Sequence, residues 1–137
     1  MPHEQPVPGS PADWLLRARS DLAIAKAPLP EGAVYEDLCF HAQQAAEKAI
    51  KAVYRAGSLT FKYTHDLAEL LAGLTRHGIR VPSEVQAAVE LTGFAWETRY
   101  PGTPEPVTEE EYKTAVALAE TVVCWAETAV QRPGTGN

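Results

Sequence analysis

Apolar residues recur at three- and four-residue intervals in five segments of the chain, which predicts five helices. The most regular segment runs over residues 40–52. Alanines at positions 42, 45, 49, 52 and 56 form one face of it, and a second helix is expected to pack closely there. The neighbouring face carries polar and basic side chains, at His41, Gln44, Lys48, Lys51 and Arg55. This helix is therefore predicted both to build the core and to line a polar surface.

Capping residues set the bounds of the first helix. Ser10 is the expected N-cap, with Pro11 at the first helical position and Asp13 completing an S-x-x-D box. Pro28 and Pro30 end the helix.

The second and third helices end at glycines. The second is predicted over residues 34–56, with Gly57 as its C-cap. The third is predicted over residues 64–77, with Thr64 as N-cap and Gly78 as its stop.

Two further capping boxes predict the last two helices. Ser83 and Gln86 begin a fourth helix that ends between residues 93 and 97. Three prolines within residues 101–106 then predict a stiff loop. Thr108 and Glu111 begin the fifth helix, which frays after residue 131, and Val107 is expected to pack on its first turn.

Together these elements predict an all-α fold, an antiparallel bundle of about five helices with a four-helix up-and-down core and one extra short helix. The domain is expected to span residues 10–131, between disordered tails at 1–9 and 132–137. A weak strand-like alternation at residues 59–63 is the competing signal. A homodimer is also expected, because four large side chains point away from the core faces of the two longest helices. They are Phe40, Tyr54, Leu118 and Trp125.

Composition narrows the class of protein. At 137 residues, with 45% hydrophobic and 22% charged residues, one soluble globular domain is expected. The sequence has neither an apolar run of transmembrane length nor a signal-peptide pattern, so a cytoplasmic protein without membrane contact is expected. Cys39 and Cys124 lie among apolar neighbours in helical patterns and are predicted to be buried thiols.

Charge and motifs exclude several function classes. A net charge of −6 argues against non-specific coating of nucleic acid. It leaves room for a local basic groove, formed by Lys48, Lys51, Arg55 and Lys62 if the loop after the second helix folds back. Metal-ligand spacing and a glycine-rich phosphate loop are both missing, so no metal and no cofactor are expected. A self-sufficient nucleotide hydrolase is therefore disfavoured.

Four segments, in order, resemble one known family. They read ARSDLAIA at 18–25, FHAQQAAEKAIKA at 40–52, THDLAELL at 64–71 and TRYP at 98–101. With these segments, residues 14–130 resemble the HEPN domain, a small all-α domain of prokaryotes.

The resemblance implies a helical bundle that dimerises, often beside a small nucleotidyltransferase encoded next to it. It also implies nucleotide or RNA binding. A large branch of the family consists of metal-independent ribonucleases in which four to six residues separate an Arg from a following His. In this sequence the corresponding positions after Arg99 hold Pro104, Glu105 and Pro106, so a non-catalytic or differently catalytic member is expected.

Six residues are the candidate ligand contacts. Arg99 can hold a phosphate and Tyr100 can stack on a base. His65 and Asp66, in the first turn of the third predicted helix, suit an anion site. Lys48 and Lys51 would add positive charge.

Each candidate also has a structural interpretation. Arg99 can pair with Glu97 while Tyr100 packs, and Asp66 can complement the helix dipole beside a solvated His65. The lysines can form a solvated face, with Lys51 paired to Glu47. His41 is expected to be half-buried and satisfied, and His77 to complement a helix end.

Three functions follow from this sequence. The first is a nucleotide- or RNA-binding dimer that serves as the non-catalytic partner of a nucleotidyltransferase in a toxin–antitoxin-like or substrate-presenting pair. The second is a metal-independent ribonuclease with a non-standard site, such as Arg99 with His65. The third is a structural dimerisation module, which a buried ion pair at Arg99 would favour.

Overall fold

The computed structural model describes residues 5–95 and 106–131. The first helix, α1, spans Pro11–Ala25. It begins as predicted, because the Ser10 hydroxyl accepts a hydrogen bond from the backbone N–H of Asp13 and Pro11 occupies the first turn. Its buried side comprises small and aliphatic side chains together with two aspartates.

Helix α2, Tyr35–Ala56, is the centre of the bundle. It packs mainly against α1 and α5, and four of the five residues of its alanine face, Ala42, Ala45, Ala49 and Ala52, are fully buried, as predicted from the helical spacing. Gly57 is its C-cap. Two of its charged side chains, Glu47 and Lys51, are buried as well, which the polar pattern of this face did not indicate.

Helix α3 spans Leu67–Arg76, so the prediction that it begins at Thr64 is wrong. Asp66 is the N-cap, and its carboxylate accepts hydrogen bonds from the backbone N–H groups of Ala68 and Glu69. The Thr64 hydroxyl instead accepts from the N–H of Asp66, which holds residues 64–66 in a turn outside the helix. Gly78, with a φ of 84°, terminates the segment as predicted.

The fourth predicted helix is correct in position and wrong in type. Helix α4 covers only Ser83–Gln86, and a 3₁₀ helix follows over Ala87–Phe94. Pro82, not Ser83, is the N-cap, and no side-chain capping bond forms there. Val85, Ala88 and Leu91 are buried at intervals of three residues. That spacing suits a 3₁₀ helix, in which side chains three apart point in the same direction.

Helix α5, Glu109–Gln131, begins with the predicted capping box. The N–H of Glu111 donates to the Thr108 hydroxyl, and the N–H of Thr108 donates to the Glu111 carboxylate. Tyr112 stacks on Tyr35 with ring centroids 4.9 Å apart, and its hydroxyl donates to the carbonyl of Ala25. The first turns of α2 and α5 therefore meet at the end of α1.

Two burial predictions are wrong. Tyr54 does not point into solvent: it is buried, and its hydroxyl donates to the carbonyl of Leu70. Gly73 makes room for it, because a Cβ there would collide with that hydroxyl. Cys39 is buried as predicted, whereas Cys124 is exposed on α5, and the two are not joined by a disulfide. Phe40, Leu118 and Trp125 are half-buried.

The all-α prediction is confirmed: the described ranges 5–95 and 106–131 contain helices and loops and no strand. Residues 59–63, where strand-like alternation competes, lie in the loop between α2 and α3. None of the helices in this described part is both long and apolar enough to cross a membrane. The predicted tails fall partly or wholly outside the described residues.

Candidate functional site

The polar face of α2 is closed from one side by α1. The carboxylate of Asp21, on α1, accepts hydrogen bonds from two residues of α2. One carboxylate oxygen lies 2.8 Å from Nδ1 of His41, and the other lies 2.6 Å from Nζ of Lys48. Asp21 is buried, whereas both partners keep part of their side chains in solvent. Asp21 therefore fixes a histidine and a lysine at the surface.

Glu47 of α2 repeats this arrangement with Lys51 of the same helix and His65 of the following loop. One carboxylate oxygen lies 2.8 Å from Nδ1 of His65, and the other lies 2.7 Å from Nζ of Lys51. In both cases one carboxylate joins a histidine to a lysine. We refer to these two sets of residues as the two carboxylate bridges: Asp21 with His41 and Lys48 is the first, and Glu47 with His65 and Lys51 is the second. The Glu47 bridge ties the loop that precedes α3 to the central helix.

Gln43 completes the second bridge from within the core. Its side-chain amide is fully buried and lies within donating distance of Oε1 of Glu47, at 3.1 Å, and of the backbone carbonyl of His65, at 3.3 Å. The amide of Gln44 donates in turn to the Gln43 side-chain oxygen at 2.7 Å. A buried polar network of this kind fixes its members when every group has a partner.

The environment of Glu47 keeps its carboxylate charged. Burial by itself raises the pKa of this group, but hydrogen bonds from Lys51, His65 and Gln43 outweigh it and hold the pKa below its ordinary value. The second bridge is therefore anionic at its centre at neutral pH.

The loop after α2 folds back onto that helix. The sequence predicted a basic groove if this loop did so. Phe61 brings its ring to 5.2 Å from Nζ of Lys51 and to 5.2 Å from the guanidinium carbon of Arg55. The ring of Trp14 lies 5.5 Å from the same lysine nitrogen. Only 9% of the Lys51 side chain remains exposed, so this cation belongs to the interior rather than to a solvated face.

The structure brings some of the predicted site residues together. Glu47 joins His65 to Lys51, while Lys48 belongs to the other bridge. The His65 side chain is 38% exposed and that of Lys48 is 27% exposed. Asp66 acts as the N-cap of α3. Arg99 and Tyr100 lie outside the described residues.

The predictions for the two other described histidines are confirmed. His41 is half-buried and satisfied by Asp21. Nδ1 of His77, the C-cap residue of α3, lies 2.8 Å from the carbonyl of Gly73.

Sequence reasoning missed the residues that organise the site, Asp21, Glu47 and Gln43. A signal for Asp21 was present, because an acid on the apolar side of α1 needs a partner once it is buried. Glu47 was identified only as a neighbour of Lys51 one turn away. That its second oxygen bonds to His65 depends on the path of the loop, which helical spacing does not encode.

The bridges have a definite chemical character. A histidine whose Nδ1 bonds to a carboxylate carries its proton on that nitrogen, which leaves Nε2 as the basic position of the neutral ring. Among the described residues, no three His, Cys, Asp or Glu side chains are grouped so as to hold a metal ion. The arrangement suits binding of a polar or anionic group and proton exchange at imidazole.

Comparison with known proteins agrees with this architecture. The family model described as "HEPN domain" matches residues 11–129. The structure is similar to the crystal structure of TT1696 from Thermus thermophilus, with a TM-score of 0.76 and 32% sequence identity. The similarity covers 88% of this chain and 98% of that one. A search of curated protein sequences gives no significant match.

Proposed function

Because the chain belongs to the HEPN family, we propose that it is a nucleotide- or RNA-binding helical dimer. In this proposal it acts as the non-catalytic partner of a nucleotidyltransferase, in a toxin–antitoxin-like or substrate-presenting pair. The Arg-x4–6-His pair of the ribonuclease branch is not present in the sequence, which supports a binding role over a catalytic one.

The observation that carries the proposal is the pair of carboxylate bridges. Lys48 and His65 are each held by a carboxylate and remain partly exposed. Side chains held in place before binding lose less conformational entropy when a ligand arrives. The two bridges combine two lysines and two histidines with two carboxylates, so their net charge is zero or positive in a chain of net charge −6. That balance favours the binding of a phosphate-bearing ligand at the bridges rather than elsewhere on an acidic surface.

The proposed ligand contacts extend beyond the bridges to Arg99 and Tyr100. The Thr92 hydroxyl accepts from the N–H of Leu67 at 3.2 Å, so the end of the 3₁₀ helix lies beside the start of α3. Arg99 follows Thr92 by seven residues, a stretch that spans at most about 25 Å. The proposal places Arg99 beside His65 and Asp66, a separation that a stretch of this length can span. In the proposal, Arg99 holds a phosphate and Tyr100 stacks on a base, while Lys51, buried and paired with Glu47, supports the loop through the ring of Phe61.

Calorimetric titration at low salt tests the proposal. The purified protein is titrated with ATP and with a short single-stranded RNA, and the RNA is checked for cleavage in the same samples. Arg99→Ala is expected to weaken binding at least tenfold. The matched control is Arg80→Ala, which removes an arginine exposed on the described surface, so it is expected to bind like the wild type. Equal affinity in all three proteins would contradict the proposed site.

A dimer is the proposed assembly, and one surface of the described chain supports it. A groove of about 750 Å³ lies between α4 and α5, with Ala117, Cys124 and Trp125 of α5 along it. Ala117→Arg is expected to convert the dimer into a monomer, measured by sedimentation velocity. Ala72→Arg, at an exposed position of α3, is the control that should stay dimeric. A monomeric wild-type protein would contradict the dimer itself.

The nucleotidyltransferase pairing is tested by mixing. A minimal nucleotidyltransferase encoded beside this protein is expected to form a complex with it in sedimentation and to modify substrates only when the complex forms. Equal nucleotidyltransferase activity with and without the helical protein would argue against a substrate-presenting role.

A second candidate function, a metal-independent ribonuclease, is supported by one contact. Nδ1 of His65 bonds to the buried Glu47 carboxylate, an arrangement that orients the imidazole ring and suits acid–base catalysis. RNA cleavage that is lost in both His65→Ala and Arg99→Ala would favour this function. Binding without cleavage would favour the partner module.

A further inference from the structure

A small pocket lies between the α2–α3 loop and α3, apart from the two carboxylate bridges. Its volume is about 130 Å³, and it is lined by side chains of the loop and of the second half of α3. Its polar and glycine residues are Thr60, Lys62, Glu69, Gly73, Arg76 and His77. Since one water occupies about 30 Å³, the space holds about four waters and can admit a tetrahedral oxyanion.

The charges around the pocket favour an anion. Lys62 and Arg76 are permanently positive at neutral pH, and Glu69 is the one carboxylate that lines this pocket. The hydrogen bond from Lys62 and, to a smaller extent, the nearby charge of Arg76 lower the pKa of Glu69, but within residues 5–95 and 106–131 Arg76 forms no salt bridge. Lys62 pairs with Glu69 at 2.8 Å, but 77% of its side chain is exposed, so water screens that pair strongly. A phosphate carries more negative charge than a carboxylate and can compete for both cations.

The walls of the pocket are fixed by contacts among the residues that line it. Nδ1 of His77 lies within hydrogen-bond distance of the carbonyl of Gly73, which orients the ring at the end of α3. Gly73 and Arg76 are neighbours in the wall, since a Cβ built on Gly73 would lie in ordinary van der Waals contact with the arginine Nη2, at 3.5 Å. On the loop side, the ring of Phe61 packs edge-on against Tyr54 at 5.8 Å. The pocket therefore persists between anchored elements.

Tyr63, the residue after Lys62, supplies a second feature. Its side chain is 97% exposed, although the loop on either side of it is anchored. Phe61 packs on Trp14 with ring centroids 5.8 Å apart, and His65 is bonded to Glu47. An aromatic ring presented to water on an ordered loop, next to a cation, is suited to stack on a nucleobase.

We infer that this pocket is a phosphate-binding site for a nucleotide, in which Lys62 and Arg76 hold the phosphate and Tyr63 stacks on the base. The inference rests on the proposed function for its class of ligand, but it uses none of the residues assigned there. It adds a second point of contact on the far side of the α2–α3 loop.

Titration calorimetry with inorganic phosphate and with 5′-AMP tests the pocket at low salt. Arg76→Gln and Lys62→Gln are each expected to weaken binding of both probes about tenfold. Arg80→Gln, which removes the same charge four residues after Arg76, is the matched control and should bind both like the wild type. Equal weakening in all three variants would mean that only net charge matters, and it would overturn the inference.

Tyr63→Ala separates base stacking from phosphate binding. It is expected to weaken the binding of 5′-AMP about tenfold and to leave the binding of inorganic phosphate unchanged. Tyr63→Phe should retain both affinities. Unchanged 5′-AMP affinity in Tyr63→Ala would overturn the stacking role.

The inference and the proposed function fail in different ways. If wild-type protein binds neither phosphate nor 5′-AMP at the pocket, while Arg99→Ala still abolishes binding of RNA, the inference is wrong and the proposed function stands. If Arg99→Ala has no effect on RNA binding while the pocket variants lose phosphate binding, the proposed site is wrong and the pocket stands.

Discussion

The carboxylate of Glu47 and the imidazole of His65 lie 2.8 Å apart, although 18 residues separate them in the chain. This contact ties the loop before α3 to the buried centre of α2. It also orients the one imidazole that the sequence had placed among the ligand contacts. Through its other oxygen Glu47 neutralises Lys51, so a single side chain supports both the loop and the buried cation.

Glu47→Gln is expected to destabilise the protein by about 3–5 kcal/mol, because it leaves Lys51 buried without an anionic partner. The amide keeps the shape of the carboxylate, so the loss reports on charge rather than packing. Urea denaturation followed by circular dichroism measures the free energy of unfolding. Glu120→Gln, which removes the acid of an exposed pair with Lys26, is the control and should change stability little. Equal losses in the two variants would contradict this role of Glu47.

Acid is expected to weaken the fold through the same residue. The folded-state pKa of Glu47 lies below its ordinary value, although burial alone would raise it, because Lys51, His65 and Gln43 bond to the carboxylate. A carboxylate with a lowered pKa adds stability above its unfolded pKa of about 4.3, and that stability is lost as the pH falls through the folded pKa. Free energies of unfolding measured between pH 7 and pH 3 should therefore fall more steeply for wild type than for Glu47→Gln. Parallel curves would refute the assignment.

Gly73→Ala is expected to cost about 1–3 kcal/mol, because its Cβ would collide with the buried hydroxyl of Tyr54. Tyr54→Phe removes that hydroxyl and also the hydrogen bond to Leu70. Thermal unfolding of both single variants and the double variant gives the coupling between the positions. The double variant should be more stable than the sum of the two single losses predicts. Simple additivity would show that the two groups do not collide.

Asp66→Ala is expected to cost about 1 kcal/mol, because Asp66 caps α3. Asp66→Asn keeps an oxygen acceptor at the cap and should restore most of that stability. Nucleotide titration of Asp66→Asn then reports on the ligand role separately. Reduced affinity at restored stability would assign Asp66 to binding, and unchanged affinity would leave it as a cap alone.

The chemistry of neighbouring residues was sufficient to predict where most of the helices lie. Ser10 and Thr108 are N-caps as predicted, because the residues that satisfy a helix end are neighbours in the chain. Thr64 failed as a cap because Asp66, two residues later, offers a carboxylate that bonds to two N–H groups. The sequence contains both candidates, and only the packed loop selects between them. The 3₁₀ helix was missed for a similar reason, since its period of three matters only once Val85, Ala88 and Leu91 face the core.

The sequence by itself determined the all-α class, the position of the central alanine-rich helix and the family to which the chain belongs. These depend on periodicity and short motifs, which need no knowledge of distant contacts. Only the tertiary structure decided which polar residues meet. Asp21 reaches His41 and Lys48, and Glu47 reaches His65, because α1 and the α2–α3 loop close over the same face of α2. Burying these carboxylates is favourable only when their partners arrive together, so the candidate site is a product of packing rather than of sequence spacing.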